Sequence, residues 1–259
     1  METIEDELMN LSVEPSIPNG GNTVNTGNTV NTVNTGNTGN MDDMKNDETS
    51  FLHMLAECVG EYHRHGSRSS KKVDMLHRYL KEWLKRSCEK RYGDGWSEYT
   101  FDLEKGLPSC NASQEKRCDI VVSRQGKPFA VFPVKFTMSN YYQNKNNNWE
   151  VLTGECTHLK HHPSNHDLRI VPINIIFNQV PYLDEKKMIK KWEEITYVKS
   201  FQIMENLKKW GLVFDAMNYI IDVQHVSTIG EPYHHIPRMI GFNQETPYRT
   251  HDSFGHLWE

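Results

Sequence analysis

One acidic and one basic side chain interrupt two neighbouring apolar runs in the first half of the chain. Asp119 lies within KRCDIVV, and Lys135 lies at the end of GKPFAVFPVKF. Both runs are short and rich in Val, Ile and Phe, which is typical of strands. A carboxylate and an ammonium group at neighbouring points of adjacent strands can hold a divalent cation and a nucleophilic water beside a phosphate. This pattern predicts a site for phosphoryl chemistry.

The elements that would position these side chains form a strand meander followed by a helix. WSEYTFDLEK precedes the two runs, and turn residues separate the three, at Gly106-Leu107-Pro108 and at Gln125-Gly126. By the two-residue period of a strand, Val131 and Pro133 share the face of Lys135. Trp149–Lys160 then has apolar residues at helical spacing.

In the order of these parts, roughly residues 60–180 resemble the PD-(D/E)XK nuclease superfamily, the fold of most restriction endonucleases. In that family an Asp on the second strand and an acidic-x-Lys triplet on the third build a magnesium site. The resemblance implies an α/β fold with a restriction-endonuclease-like core, a mixed central sheet of about four to six strands flanked by helices. It also implies that Asp119 binds Mg²⁺ and that Lys135 is catalytic.

The sequence departs from the family pattern at two positions. Cys118 precedes Asp119 where the family pattern has a Pro that is often absent, and the triplet is Pro133-Val134-Lys135, without its acid. Some restriction enzymes of this superfamily supply that acid from the following helix. Glu150 and Glu155, fifteen and twenty residues after Lys135, are both candidates for this catalytic role. At 100° per residue they lie about 140° apart around a helix, so one site is not expected to use both symmetrically.

Further residues are candidates for binding metal or DNA. Glu150 is also a candidate metal ligand, together with Asp119 and with Glu98 at the start of the first strand. The segment from residue 139 to 148 is predicted as a polar loop at the mouth of the site, since it directly follows the strand of Lys135. Its Asn, Gln and Tyr side chains suit contacts to adenine edges and phosphates. The DNA-binding candidates are Ser139, Asn140, Tyr141, Gln143, Asn144 and Asn147.

The remaining segments complete a predicted α/β domain. Helices are expected from Phe51 and from Ser69 or Ser70, and the lysines and arginines of the second suit either a solvated face or a DNA contact. LRIVPINIIFNQVPYL from Leu168 is predicted to be a buried strand and VFDAMNYIIDVQHV a further strand. Residues 184–210 predict one or two amphipathic helices, with Lys186, Lys187, Lys190 and Lys191 exposed. The stretch from Ser227 is predicted as a tail.

The charge distribution separates an N-terminal tail from one catalytic domain. Residues 1–50 contain Asn-Thr-Gly repeats with almost nothing to bury, and are predicted to be disordered. The formal charge is −5 overall, but residues 1–49 carry −8, which leaves +3 for the rest. Residues 51–259 are predicted to form a single, mildly basic domain that can grip phosphates.

Several classes of protein are disfavoured. The chain has no apolar run near eighteen residues, and its N-terminus is acidic, so an intracellular, cytoplasmic protein without signal peptide or membrane span is expected. Five cysteines without a CxxC pair do not suit a disulfide framework or a zinc ribbon. His158 and His162 have the spacing of zinc ligands on a helix, but the HExxH arrangement is absent, as is a glycine-rich phosphate loop.

The resemblance implies a sequence-specific, Mg²⁺-dependent endonuclease of double-stranded DNA, a type II restriction enzyme acting as a homodimer on palindromic sites. Three alternatives remain open at this point. A repair or recombination nuclease of the same fold would keep Asp119 and Lys135 but recognise DNA structure. A catalytically inactive DNA-binding relative is favoured by Pro133, and a plain interaction protein would use Lys135 only at a strand end.

Overall fold

The computed structural model describes residues 41–66, 69–248 and 251–259. The first forty residues, which hold the Asn-Thr-Gly repeats of the predicted tail, lie outside the described residues. The last ten residues assigned to that tail are helical, because helix α1 spans Met41–His65. On this helix Asp47 is buried and accepts a hydrogen bond from Trp83 Nε1 at 3.3 Å. The folded part therefore begins before residue 51.

Two helices precede the strands, as predicted. Both α1 and α2 (Lys71–Tyr92) turn an apolar stripe inward. The fully buried members of the two stripes are Phe51, Leu55 and Val59 of α1 and Leu76, Leu80, Trp83 and Leu84 of α2. The ring centroids of Phe51 and Trp83 lie 4.6 Å apart. Burial of these side chains, rather than helix propensity, holds the pair together.

Three strands form the predicted meander. They are β1 (Tyr99–Pro108), β2 (Glu115–Arg124) and β3 (Lys127–Phe132), and both pairings are antiparallel. Gln125 and Gly126 make the tight turn between β2 and β3, with φ of 50° and 78°. Two positive φ angles suit such a turn because they match the right-handed twist of the flanking strands.

Two prolines interrupt adjacent strands. Pro133 separates β3 from β4 (Val134–Thr137), and Val171-Pro172 separates β5 (Arg169–Ile170) from β6 (Ile173–Phe177). β3 pairs with β5 and β4 with β6, both in parallel. Hydrogen bonds from Val171 N to Val131 O (2.9 Å) and from Ile173 N to Pro133 O (2.8 Å) continue the pairing past the prolines. A proline cannot donate a ladder hydrogen bond, so the assigned strands break there.

Helix α3 is longer than the sequence indicates. It spans Tyr141–Lys160, so most of the predicted polar loop is its first half, and the loop prediction is wrong. Asn and Tyr are weak helix formers, and they make up most of this segment, which favoured a loop. Burial of Tyr141, at 3% exposure, and the hydrogen bonds of Asn140 to the next hairpin override that preference.

Residues 184–210, predicted as one or two helices, contain the second strand of a hairpin and one helix. Strands β7 (Gln179–Leu183) and β8 (Ile189–Glu194) pair antiparallel, and helix α4 spans Tyr197–Lys209. The backbone of Ile189 exchanges hydrogen bonds with Gly230 and Glu231, both at 2.8 Å. Such distant partners are invisible to local periodicity. The helix over residues 184–194 is therefore a wrong prediction, whereas the helix that follows is confirmed.

The last strands complete a mixed arrangement. β9 (Met217–Gln224), predicted from the sequence, runs parallel to β6, and β10 (Arg238–Phe242) runs antiparallel to β9. The strand orders are β1-β2-β3-β5 and β10-β9-β6-β4. Two mixed four-stranded sheets are present where one central sheet was predicted. At Pro133 and at Pro172 the chain passes from a strand of the first sheet to a strand of the second.

The C-terminal stretch predicted as a tail contributes to the core. Besides β10 it forms a 3-10 helix over His251–Trp258, in which Phe254, Leu257 and Trp258 are buried. Trp258 Nε1 donates to Ser87 Oγ on α2 at 2.9 Å. The spacing of the three apolar residues, i, i+3 and i+4, is the signal that the sequence prediction missed.

Helices cover both faces of the strands, as the α/β prediction requires. One apolar cluster joins Ile120 and Phe132 of the strands to α1, α2 and the C-terminal 3-10 helix. The other joins Val121 and Val131 to α3 and α4. Among the residues described, no helix combines the length and apolar character needed to cross a membrane.

Candidate active site

Asp119 is fixed at the point where Pro133 interrupts the sheet. The pairing of β2 with β3 ends at Ile120 and Phe132, so the next position has no regular ladder partner. There Asp119 Oδ2 accepts a hydrogen bond from the backbone N–H of Val134 at 2.7 Å. The Asp119 carboxylate thus accepts the hydrogen bond of a backbone N–H at the strand break, and this bond holds the carboxylate at the junction of β3 and β4.

Lys135 on β4 and Glu155 on α3 lie side by side. Lys135 Nζ is 4.0 Å from Glu155 Oε2, and Lys116 Nζ on β2 donates to Glu155 Oε1 at 2.6 Å. The Glu155 side chain is 18% exposed, and both lysines are about one-third exposed. One carboxylate is therefore held between two ammonium groups on three different elements.

These side chains line a small cavity. Its volume is about 40 Å³, and its lining consists of Lys116, Arg117, Cys118, Asp119, Pro133, Lys135, Glu155 and Leu159. Three of these residues are basic and two are acidic, so the lining carries a formal charge of +1. At roughly 10–15 Å³ per water centre, the cavity has room for about three water molecules. Such a pocket suits a phosphate oxygen and its attacking water.

A second group of ligating side chains shares Asp119. One ligand atom each from His77 on α2, Glu104 on β1 and Asp119 lies within 4.8 Å of the other two. His77 is only 4% exposed, and its Nδ1 is 3.2 Å from Glu104 Oε1. Glu104 has φ of 52°, in the left-handed region, although it is not glycine. Such a conformation costs about 1–3 kcal/mol and occurs preferentially at functional sites.

The other predicted carboxylates lie elsewhere. Glu150 is exposed on α3, whereas Glu155 on the same helix points to the lysines. Glu98 forms an ion pair with Arg124 at 3.2 Å. Because Arg124 is five residues from Asp119 along β2, Glu98 lies about 17 Å from the Asp119 position at 3.3–3.4 Å per residue. Only Glu155 joins Asp119 and Lys135 at the cavity.

The six DNA-binding candidates lie at the start of α3. At 1.5 Å per residue, Asn147 is about 12 Å and Asn140 about 22 Å from Glu155 along the helix axis. This segment therefore lies toward the end of the helix away from the cavity, and not at its mouth. Gln143, Asn144 and Asn147 are exposed, although Gln143 Oε1 accepts a hydrogen bond from Asn140 Nδ2 and Asn144 Nδ2 donates to Asn140 O. Ser139 Oγ lies 3.2 Å from Tyr62 OH.

Tyr141 and Asn140 have contacts that hold helix α3 in place. Tyr141 is buried, with its hydroxyl 3.4 Å from Lys199 O. The Asn140 side chain accepts from Leu183 N at 2.8 Å and donates to Leu183 O at 3.2 Å and to Gln143 Oε1 at 2.9 Å. The amide of Asn140 thus ties α3 to β7 and has little capacity left for a nucleic acid.

A larger cavity adjoins this end of α3. It measures about 540 Å³ and is lined by Asn140, Gln143, Tyr182, Leu183, Asp184, Glu185, Lys186 and Lys190. Asp184 Oδ1 accepts from the backbone N–H of Lys186 and of Met188, both at 2.9 Å, and so stabilises the turn between β7 and β8. The hairpin therefore presents its lysines beside the polar side chains of α3.

The cysteines at the site are not arranged for nucleophilic catalysis. Burial raises the pKa of the Cys118 thiol to about 12, and it does the same for Cys156 on α3. A thiol with such a pKa is protonated at neutral pH and is a weak nucleophile and metal ligand. The groups in this cavity that could bind a ligand or transfer a proton are therefore its carboxylates and ammonium groups.

Comparison with known proteins gives no assignment. No protein-family model matches the chain, and no curated protein matches its sequence. The function must therefore be argued from the geometry of the site.

Four site residues escaped the sequence analysis: His77, Glu104, Lys116 and Arg117. His77 lies on an amphipathic helix among many charged residues, so its sequence context does not single it out. It comes close to Asp119 only in the folded structure. A signal existed for the others, because Lys116 and Arg117 directly precede Cys118-Asp119, and Glu104 is on the neighbouring strand.

Proposed function

We propose that this protein is a metal-dependent endonuclease that hydrolyses phosphodiester bonds of double-stranded DNA, on a restriction-endonuclease-like core. The observation that carries the proposal is the position of Glu155. The sequence lacks an acid at Pro133, and the following helix brings one to 4.0 Å from Lys135, beside the cavity that Asp119 lines. The order of strands β1-β2-β3, with β5 parallel to β3, supports the resemblance to that fold.

The charges around the cavity suit phosphoryl transfer. The transition state gains negative charge on the phosphate oxygens, and ammonium groups in a shielded pocket stabilise that charge better than water does. Lys135 lies where it can contact both a phosphate oxygen and the attacking water. Lys116 and Arg117 add two positive charges on the same strand.

Carboxylates at the cavity provide ligands for a divalent cation. Asp119 is fixed by the backbone of Val134 and, with a neighbouring carboxylate, would hold Mg²⁺ through the oxygen atoms that this ion prefers. When bound, the ion would supply positive charge to neutralise the phosphate and to activate the attacking water. Glu155, already hydrogen-bonded to Lys116, acts by orienting the ammonium groups and accepting a proton from water.

Recognition of a DNA sequence is assigned to the start of α3 and the neighbouring hairpin. The amide side chains of Gln143, Asn144 and Asn147 are exposed there, and Lys186 and Lys190 offer positive charge for the backbone phosphates. Cutting both strands of a palindromic site needs two catalytic cavities. The described residues combine Asp119, Lys135 and Glu155 in one cavity, so we propose that the enzyme acts as a homodimer.

The test is cleavage of a plasmid of known sequence by the purified full chain with Mg²⁺ or Mn²⁺. Asp119→Asn and Lys135→Ala are the active-site variants, and Lys127→Ala, an exposed lysine on β3, is the matched control. We expect discrete fragments from the parent and the control, and a rate lower by at least about 100-fold in both active-site variants.

Three results would contradict the proposal or its details. Equal cleavage by the parent, Asp119→Asn and Lys135→Ala would show that the cleavage does not take place in this cavity. Folded parent protein that binds DNA without cutting any of several unmethylated plasmids would favour the inactive DNA-binding relative. A smear instead of fragments would favour a repair or recombination nuclease.

A further inference from the structure

Three side chains from three elements converge on the side of Asp119 that faces α2. One ligand atom each from His77, Glu104 and Asp119 lies within 4.8 Å of the other two, although 42 residues separate the first from the last. Glu155 does not belong to this group, since its two oxygens face Lys116 and Lys135. The ligands for a cation are therefore more numerous at His77 than at Glu155.

The burial of His77 points to a ligand. Its side chain is 5% exposed, and its Nε2 has no hydrogen-bond partner. Its Nδ1 lies 3.2 Å from Glu104 Oε1, so an imidazole nitrogen and a carboxylate oxygen are already placed side by side as two ligands of one cation would be. One neutral imidazole and two carboxylates carry a charge of −2, which a divalent ion neutralises.

Glu104 is the strained and adjustable member of the group. It lies on β1 opposite Asp119 of β2, between the Leu103–Ile120 and Lys105–Cys118 pairs, and its φ is 52°. Its Oε2 is 3.1 Å from Nε of Arg117, whose side chain is 72% exposed. An exposed ion pair contributes little stability, so Arg117 can release this oxygen at small cost.

We propose that His77, Glu104 and Asp119 form a binding site for one divalent transition-metal ion, with Mn²⁺ preferred over Mg²⁺. Imidazole suits transition metals, whereas Mg²⁺ prefers oxygen ligands and keeps several waters. This inference deepens the proposed function, on which its catalytic meaning rests, by placing the cation beside His77. The site itself is testable without DNA.

The experiment is a titration of the EDTA-treated full chain with Mn²⁺, followed by electron paramagnetic resonance of the free ion. The ligand variants are His77→Gln, Glu104→Gln and Asp119→Asn. The controls are Glu150→Gln and Glu98→Gln, and Glu155→Gln tests the rival position of the ion beside the two lysines. Urea unfolding of each variant shows that it is folded. Glu104 is partly exposed, so Glu104→Gln keeps the test valid if the buried His77 variant fails to fold.

We expect one Mn²⁺ per chain, weakened at least about tenfold in the three ligand variants and unchanged in the controls. Competing Mg²⁺ should be needed at far higher concentration than Mn²⁺. Absence of Mn²⁺ binding to the folded parent, or binding lost in Glu155→Gln and kept in Glu104→Gln, overturns the site. Cleavage of DNA without this binding overturns only the site, and binding without cleavage overturns only the nuclease.

Discussion

Glu150 and Glu155 lie on one helix but have different surroundings. Glu155 is held between Lys116 and Lys135, whereas Glu150 is exposed. We expect Glu155→Gln to lower the DNA cleavage rate by about 100-fold, because the two lysines lose the charge that orients them. Glu150→Gln is the matched control and should cleave at the parental rate. Equal loss in both variants would show that the cavity is not the reaction site.

His63 gives the stability a predictable pH dependence. Burial lowers its pKa to about 4, and the nearby charges of His234 and His235 act in the same direction. Its ring packs edge-on to Tyr233, at 4.9 Å between centroids. The folded state holds this imidazole neutral, whereas the unfolded chain takes up a proton below about pH 6.5. The stability that His63 contributes is therefore complete above pH 6.5 and is lost as the pH falls toward 4.

The measurement is the urea midpoint of unfolding at several pH values between 7 and 4.5. His63→Gln should show a smaller decrease on acidification than the parent, because the variant lacks this titration. His53→Gln, a change at an exposed histidine of the same helix, should behave as the parent does. A parental slope in His63→Gln would place the acid sensitivity elsewhere.

Site residues could be recognised in the sequence where a charged side chain interrupts an apolar strand. Asp119 and Lys135 stand out for that reason, and they line one cavity. Glu155 could be named only as one of two candidates, since helical periodicity does not say which face meets β4. His77 and Glu104 could not be predicted from the sequence, because their approach to Asp119 depends on the packing of α2 against β1.

The start of α3 depends on a single asparagine. Asn140 has φ of 52° and joins the helix to Leu183 of β7 through its side-chain amide. We expect Asn140→Ala to lower the free energy of unfolding by about 2 kcal/mol, from the lost hydrogen bonds and the unfavourable φ. Urea unfolding measures this change. Asn147→Ala on the exposed face should stay within about 0.5 kcal/mol of the parent.

The β7–β8 hairpin carries lysines that the sequence assigned to a helix. Lys186 and Lys190 line the cavity beside α3, and each phosphate contact adds about 0.9 to the salt slope of DNA binding. We expect the double variant Lys186→Ala/Lys190→Ala to bind DNA more weakly and to lower that slope by roughly 2, as measured by fluorescence anisotropy. Lys81→Ala/Lys85→Ala on α2 is the control. An unchanged slope would exclude the hairpin from the interface.

Elements with strong local periodicity were predicted, and those set by distant partners were not. α1, α2 and the meander follow from apolar spacing and from the turn at Gln125-Gly126. The first half of α3 and the hairpin do not, because buried Tyr141 and the backbone of Gly230 and Glu231 override local preference. The exposed lysines of this region were correctly placed in solvent, but on the wrong element.

The described residues bury two apolar clusters, one on each face of the strands. The α/β class and the helices on both faces were predictable, because strand and helix patterns alternate along the chain. The division of the strands into two sheets was not predictable. Pro133 and Pro172 divide the strands because they lie side by side on adjacent strands, and the sequence does not show that they do. The contribution of Trp258 to the core also depends on a distant partner, Ser87.

Each of these two clusters contains two cysteines, so thiol labelling can report on the opening of each face separately. Cys58 and Cys88 belong to the face of α1 and α2, Cys118 and Cys156 to the face of α3, and Cys110 alone is exposed. A maleimide reagent should label one thiol rapidly in the native protein and all five in urea. Mass spectrometry of the slowly labelled peptides would then show which face opens first, and with it whether the cavity at Asp119 loosens before the rest of the fold.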